Sequence, residues 1–181
     1  MNRFVSYFLF LFVPLIAAHG QEATRTSTVT FGLGGTWVLV RPHDLPGGPQ
    51  FDGSYEYRFE KHWAVQLGVD TTVTSFFYPS YYYGGASPTN GHISAIPFGF
   101  RYVDPLSGGR VELFVGMQGA YIWGPNNYSE WAAMPSVGAR LAVDKQRHFW
   151  LGSTARYVND FGNPQGRFFT ATADLGFRFG H

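Results

Sequence analysis

The chain closes on FFTATADLGFRFGH, residues 168–181. Taken two apart, its residues fall into two unlike sets. Phe169, Ala171, Ala173, Leu175, Phe177 and Phe179 form one, and Thr170, Thr172, Asp174, Gly176 and Arg178 the other. A period of two is that of a β-strand, whose successive side chains point to opposite faces. In water such a strand either exposes three phenylalanines or buries a guanidinium. A strand with lipid on one side and a lumen on the other does neither.

The same alternation returns in seven earlier segments: 28–40, 51–59, 63–74, 92–102, 111–123, 134–143 and 148–158. In the first, Val29, Phe31, Leu33, Gly35, Trp37 and Leu39 oppose Thr28, Thr30, Gly32, Gly34, Thr36 and Val38. In the third, Trp63, Val65, Leu67, Val69 and Val73 oppose Ala64, Gln66, Gly68, Asp70 and Thr72. The fourth is the least regular, with Ile96, Phe98, Phe100 and Tyr102 against Ala95, Pro97, Gly99 and Arg101.

Three features say that the apolar faces point outward. The polar faces are rich in glycine and small residues, which suits a crowded lumen better than a solvated surface. Aromatic residues gather toward the ends of the apolar faces (Trp37, Tyr55, Tyr57, Trp63, Tyr102, Tyr121, Trp123, Tyr157), where membrane–water interfaces hold them. The charges of these segments are Asp52, Glu56, Arg58, Asp70, Arg101, Glu112, Arg140, Arg156, Asp174 and Arg178, and all ten have polar-face parity. That is five acids against five arginines, a self-neutralising lumenal network. Both lysines, Lys61 and Lys145, fall in turns, whereas a soluble sheet would place lysine on its solvent face.

The connections alternate as well. Those at 41–50, 75–91, 124–133 and 159–167 are long and rich in Gly, Pro, Asn and Tyr; 60–62 and 144–147 are short, and 103–110 is intermediate. Long outer loops and short periplasmic turns are the habit of bacterial membrane barrels. The expected fold is all-β, an eight-stranded antiparallel up-and-down transmembrane β-barrel with both termini on the periplasmic side.

Composition and targeting agree. Residues 1–20, MNRFVSYFLFLFVPLIAAHG, read as a cleaved signal peptide: Arg3, an apolar run Phe8–Ile16, and a small-residue site at Ala18-His19-Gly20. The run is short and holds Pro14, which argues against a retained membrane helix. Residues 21–27 then form a short periplasmic segment and 28–181 the barrel. The chain has no cysteine, so disulfides do not hold this exported domain. Aromatics reach 19% while charged residues are only 14%, unusual for a soluble domain, and a net charge of +1 gives no reason to expect a nucleic-acid partner.

Eight up-and-down strands, a signal peptide and the closing DLGFRFGH resemble the small outer-membrane β-barrels of Gram-negative bacteria (OmpA- and OmpX-like). The resemblance spans residues 28–181 and is carried most by the last strand. In that family the last strand bears a signal for the barrel-assembly machinery, and Asp174, Gly176, Phe177, Phe179 and His181 occupy its places. Histidine at the end departs from the usual phenylalanine. The resemblance implies insertion from the periplasm into outer-membrane lipid, a side-chain-filled interior and no cofactor.

Enzymatic readings find little support. His92-Ile93-Ser94 is similar to the His-x-Ser of PagL-like lipid A deacylases, but that motif belongs on the penultimate strand ahead of an Asn-Pro loop. Here Asn163-Pro164 follows Arg156-Tyr157-Val158-Asn159-Asp160, with neither histidine nor serine. Glu112, the nearest strand carboxylate after Ser94, points inward by parity. His43, His62, His148 and His181 show no metal-ligand spacing, and Gly32-x-Gly34-Gly35 lies inside a strand with no helix after it, so it is no phosphate loop. A narrow passive pore lined by the arginines and acids is a further alternative, although eight strands leave room for little beyond side chains. A soluble secreted barrel is another. The most distinctive surface is the loop FFYPSYYYGGASPTNGH (76–92), whose Phe77, Tyr78, Tyr81, Tyr82 and Tyr83, with Tyr128 and Trp131 of the third loop, suit an extracellular ligand or surface. The expected function is a non-enzymatic outer-membrane protein, structural or surface-interacting through its loops.

Overall fold

In a computed structural model of the chain, described over residues 25–40, 43–75, 90–124, 129–161 and 167–180, alternation becomes a closed sheet. The strands are β1 (Thr26–Val40), β2 (His43–Arg58), β3 (Trp63–Ser75), β4 (Asn90–Leu106), β5 (Val111–Trp123), β6 (Ser129–Ala142), β7 (Phe149–Asp160) and β8 (Arg167–Phe179). Each pairs antiparallel with the next, and β1 pairs with β8, so no edge is left open. Closure gives every strand a hydrogen-bonded neighbour on both sides, the arrangement that hydrocarbon requires of a spanning sheet.

The strands are longer than their clean alternating cores. β2 begins at His43, so the expected long link 41–50 is mostly strand. HDLPGGPQ has the Pro and Gly of a loop, yet β1 supplies a partner along its length, and a register shift at Thr36/Trp37 absorbs the irregularity beside Pro46. β6 likewise starts at Ser129 and shortens the link 124–133, because Trp131 and Ala132 pair with Tyr121 and Ala120. β4 runs on to Leu106, so 103–110 reduces to a 3-10 turn at Ser107–Gly109 and its flanks. β1 starts at Thr26 rather than at residue 28.

The faces are inverted relative to a soluble barrel. Outward, Phe31 is 66% exposed, and Leu33, Leu67, Val115, Met117, Val137, Leu151 and Leu175 are all more than half exposed. A contiguous apolar belt of that kind is far larger than the patches a soluble monomer shows. Aromatic groups edge it at both ends. Near the loop end Trp131 meets Tyr121 edge-on at 5.4 Å and Trp37 lies 5.9 Å from Phe169. Near the short turns Trp63 meets Tyr102 at 5.4 Å, and Phe177 lies 5.2 Å from Phe149. Among the described side chains two charges break the pattern, Asp104 on β4 and Arg167 on β8, which have outward parity and are exposed; both sit at strand ends, where the bilayer cost falls away.

Inside, the ten charges found by parity share the space with apolar residues that also have inward parity. Val103, Phe114, Ile122, Met134, Trp150 and Val158 are all buried. The interior is a stack of tiers rather than one polar lumen.

Candidate functional site: the barrel interior

The tier nearest the short turns is built around two glutamates. Glu112 on β5 receives Arg58 through two parallel hydrogen bonds of 3.0 Å. It receives Arg178 through another pair, at 3.1 and 2.7 Å, and the Nε of Arg140 at 2.6 Å. Glu56 on β2 accepts from Arg101 at 2.8 Å and from Arg140 at 2.7 Å. Arg140 therefore bridges both carboxylates. The planar guanidinium fork makes such shared pairing possible, and a lysine could not reproduce it.

Aromatic rings hold the guanidinium planes. The Arg101 carbon lies 4.0 Å above the Phe114 ring, and that of Arg178 lies 4.1 Å above Trp150. Cation–π contact gains strength when desolvated, and both rings are buried. Gly138 makes room for this: a Cβ there would strike the ring of Phe114 and the carbonyl of Ser153.

The middle tier has the opposite balance. Arg156 donates to Asp52 at 2.8 Å and stands 3.7 Å from Asp70. Asp174 accepts from Thr172 at 2.7 Å and from Thr154. Gly32 sits between Asp52 and Asp174, and a Cβ there would collide with both carboxylates. Gln118 donates to Gln66 at 2.7 Å, which donates to Ser54 at 2.9 Å. Toward the loops, Gln50 accepts from Thr36 at 2.9 Å and from Thr72.

The tier at the loop end is apolar: Ala95, Ala120, Ile122, Ala132, Met134, Val158 and Phe168, with Ile93 against them. Between it and the middle tier is a cavity of about 40 Å³, bordered by residues of both. A second void, about 20 Å³, lies among Arg101, Phe114, Arg140 and Trp150. A vestibule of about 510 Å³ opens at the short-turn end, where Lys61, Arg147 and His148 join Arg58 and Arg178. In the turn beside it, desolvation pushes the Asp144 carboxylate up, but hydrogen bonds from the N–H groups of Phe149 (2.8 Å) and His148 (3.1 Å) together outweigh it and hold the carboxylate below its usual range.

The remaining sequence-predicted residues fall as follows. His92 is exposed and Ser94 buried near the loop end of β4, where the Ser94 hydroxyl meets that of Thr71 at 3.2 Å. Glu112 is inside the barrel at the other end, held by three arginines, so no His–Ser–Glu constellation forms. Among the described residues no group of three or more His, Asp or Glu is placed to hold a metal ion. Trp131 belongs to β6 and to the outward aromatic belt rather than to a loop. Phe177 and Phe179 face outward on β8, Gly176 is buried inside, and Arg178 reaches Glu112. Phe77, Tyr78, Tyr81, Tyr82, Tyr83, Tyr128 and His181 lie outside the described residues. Sequence reading missed Phe114, Ile122, Met134, Trp150 and Val158 as interior residues, although their parity with Glu112, Arg140 and Arg156 was available to find them.

No protein-family model matches the chain, and no curated protein sequence does. Solved structures do. Ail, the attachment invasion locus protein of Yersinia pestis, superposes with a TM-score of 0.62 at 15% identity, covering 88% of this chain and 100% of that one. OprG, an outer membrane protein from Pseudomonas aeruginosa, gives 0.61 at 8% identity, with 88% and 98% covered. Neisserial surface protein A gives 0.57 at 12% identity, with 86% and 97% covered. At these identities the likeness is one of architecture: the chain has the fold of the small eight-stranded outer-membrane β-barrels.

Proposed function

We propose that this protein is an integral outer-membrane barrel of a Gram-negative bacterium that performs no catalysis and meets its surroundings through the loops between β1 and β2, β3 and β4, β5 and β6, and β7 and β8. The observation that carries this is the inverted sheet: a belt of exposed Leu, Val, Phe and Met around an interior that pairs its arginines with carboxylates. Such a belt is stable in hydrocarbon and aggregates in water. The N-terminal 20 residues act as a cleaved export signal, and the closing strand, with Asp174, Gly176, Phe177, Phe179 and His181, addresses the chain to the barrel-assembly machinery.

Support for a closed rather than a conducting interior comes from the tier of Glu56 and Glu112, whose four arginines reach across the lumen from β2, β4, β6 and β8. A surface-contact role fits the aromatic sequence at 76–83 and the names of two structural neighbours, an attachment protein and a surface protein. The test is fractionation with a heat-shift gel. The protein should sediment with outer membranes, leave them only in detergent, and migrate faster unboiled than boiled. Recovery from the soluble periplasm would overturn the reading.

A further inference from the structure

The vestibule of about 510 Å³ at the short-turn end is lined by Arg58, Lys61, Arg147 and Arg178 against a single carboxylate, Glu112. Glu112 is buried where the vestibule meets the plug, and it already takes five hydrogen bonds from Arg58, Arg140 and Arg178. The tier behind it holds four arginines against two glutamates. Positive charge is therefore in excess on the walls and behind them.

Two of these cations are free to meet a ligand. Lys61, in the β2–β3 turn, and Arg147, in the β6–β7 turn, are exposed, and among the described residues neither makes an ion pair. Arg147 is fixed through its backbone. Its φ of 61° is a left-handed value that a non-glycine residue keeps only when its surroundings hold it there. Its N–H donates to the Asp144 carbonyl at 3.3 Å, and its own carbonyl accepts from Trp150 Nε1 at 2.7 Å. The acid of that turn does not neutralise it, because the Asp144 carboxylate accepts the N–H groups of His148 and Phe149. The guanidinium instead reaches the β4–β5 turn, where a Cβ on Gly109 would stand 2.8 Å from its Nη1.

A recess walled by one sign of charge concentrates the opposite ion. Cations brought in by two turns and two strands suit an anion that accepts from several directions. A phosphate offers three such oxygens, whereas a carboxylate offers two in one plane. Thr26 and Gln146 add polar wall and Pro105 is small, so an acyl chain finds little to pack on. The volume lies within the roughly 300–1,000 Å³ of small-molecule sites. The plug closes the inner end, so a ligand enters and leaves by the same mouth.

We propose that this vestibule is a binding site for a soluble phosphate dianion, free or as the monoester of a small polar molecule. Lys61 and Arg147 hold the phosphate in the field of Arg58 and Arg178.

The experiment is a titration of the isotope-labelled full barrel, in maltoside micelles at about pH 8 where phosphate is a dianion, followed by amide chemical shifts. Inorganic phosphate, glucose 6-phosphate and acetate are compared at constant ionic strength, and a heat-shift gel verifies the closed barrel in each sample. Both phosphates should produce saturable shifts in the turns at 60–62 and 144–148, and acetate should not. Lys61→Gln and Arg147→Gln should each weaken phosphate binding about five- to tenfold, the scale of one charge-assisted hydrogen bond. Lys145→Gln makes the same charge change in the same turn but outside the vestibule, and it should leave binding unchanged. The phosphate response should also be the same in phosphatidylglycerol as in phosphatidylcholine nanodiscs. Its loss in phosphatidylglycerol alone would give the site to a lipid headgroup and overturn the assignment to a soluble anion. Equal responses to phosphate and acetate, no saturable response, or a loss in K145Q as large as in R147Q would overturn the site itself. If R147Q fails the heat-shift check, K61Q and the comparison of anions decide it.

Discussion

The two halves of the interior are made from the same strands and differ in nearly every other respect. Toward the short turns, Glu112 takes five hydrogen bonds from three arginines, and Glu56 takes two. Toward the loops, apolar side chains line much of a void, and Asp70 Oδ2 and the Thr170 hydroxyl have no hydrogen-bond partner. The first half is a plug and the second a socket. Loss of a partner in the plug leaves a buried charge uncompensated, whereas loss of a group in the socket removes contacts from a space already incompletely filled.

The sharpest way to break this comparison is to remove the plug's centre. Glu112→Gln leaves Arg58, Arg140 and Arg178 facing a neutral amide, and removing one member of a buried ion network costs about 3–5 kcal/mol. Urea unfolding of the folded barrel in bilayers should show that loss, with no gain of ion conductance in planar membranes while Glu56 still clasps Arg101 and Arg140. Charge belongs only on the inner side of this contrast. Met117→Arg places a guanidinium on the outward face midway along β5 and should cost about 2–4 kcal/mol by the same assay.

In the socket the effects are smaller. Met134→Ala enlarges an existing void and should cost about 2 kcal/mol, the low end for such truncations. Thr170→Val replaces an unpartnered hydroxyl by a methyl of similar size and should change stability by less than about 0.5 kcal/mol. A Thr170→Val loss as large as that of Glu112→Gln would erase the distinction between the halves.

Much of this was legible in residue parity. Arg178 between Phe177 and Phe179 can face only one way once the phenylalanines face the other, and the same logic places Asp52, Asp70, Glu112 and Arg140 inside. Which charges meet was not legible. Arg140 is laddered beside Glu112 on β5 but also reaches Glu56, 84 positions away, because the strands' stagger on closure, not their sequence spacing, sets each residue's height. Strand ends were obscured where local composition opposed tertiary pairing, as in the Pro- and Gly-rich start of β2. Trp150 and Phe114 were hidden differently. Their polar-face parity is plain, but a lumen expected to be polar gives no reason to look for rings, and only the guanidiniums stacked on them explain their place.

The inversion of the sheet is the central claim, and a chain without cysteine allows it to be tested residue by residue. Single cysteines at Gln66, Leu67, Gln118 and Met117, each carrying a nitroxide, should be introduced into the barrel in lipid bilayers and their collision rates with oxygen and a water-soluble nickel chelate measured. Labels at 67 and 117 should collide freely with oxygen and hardly with nickel, and those at 66 and 118 should be shielded from both. Nickel contact at 67 and 117 equal to that of a label on the exposed turn at Lys145 would show the apolar face in water and contradict the account.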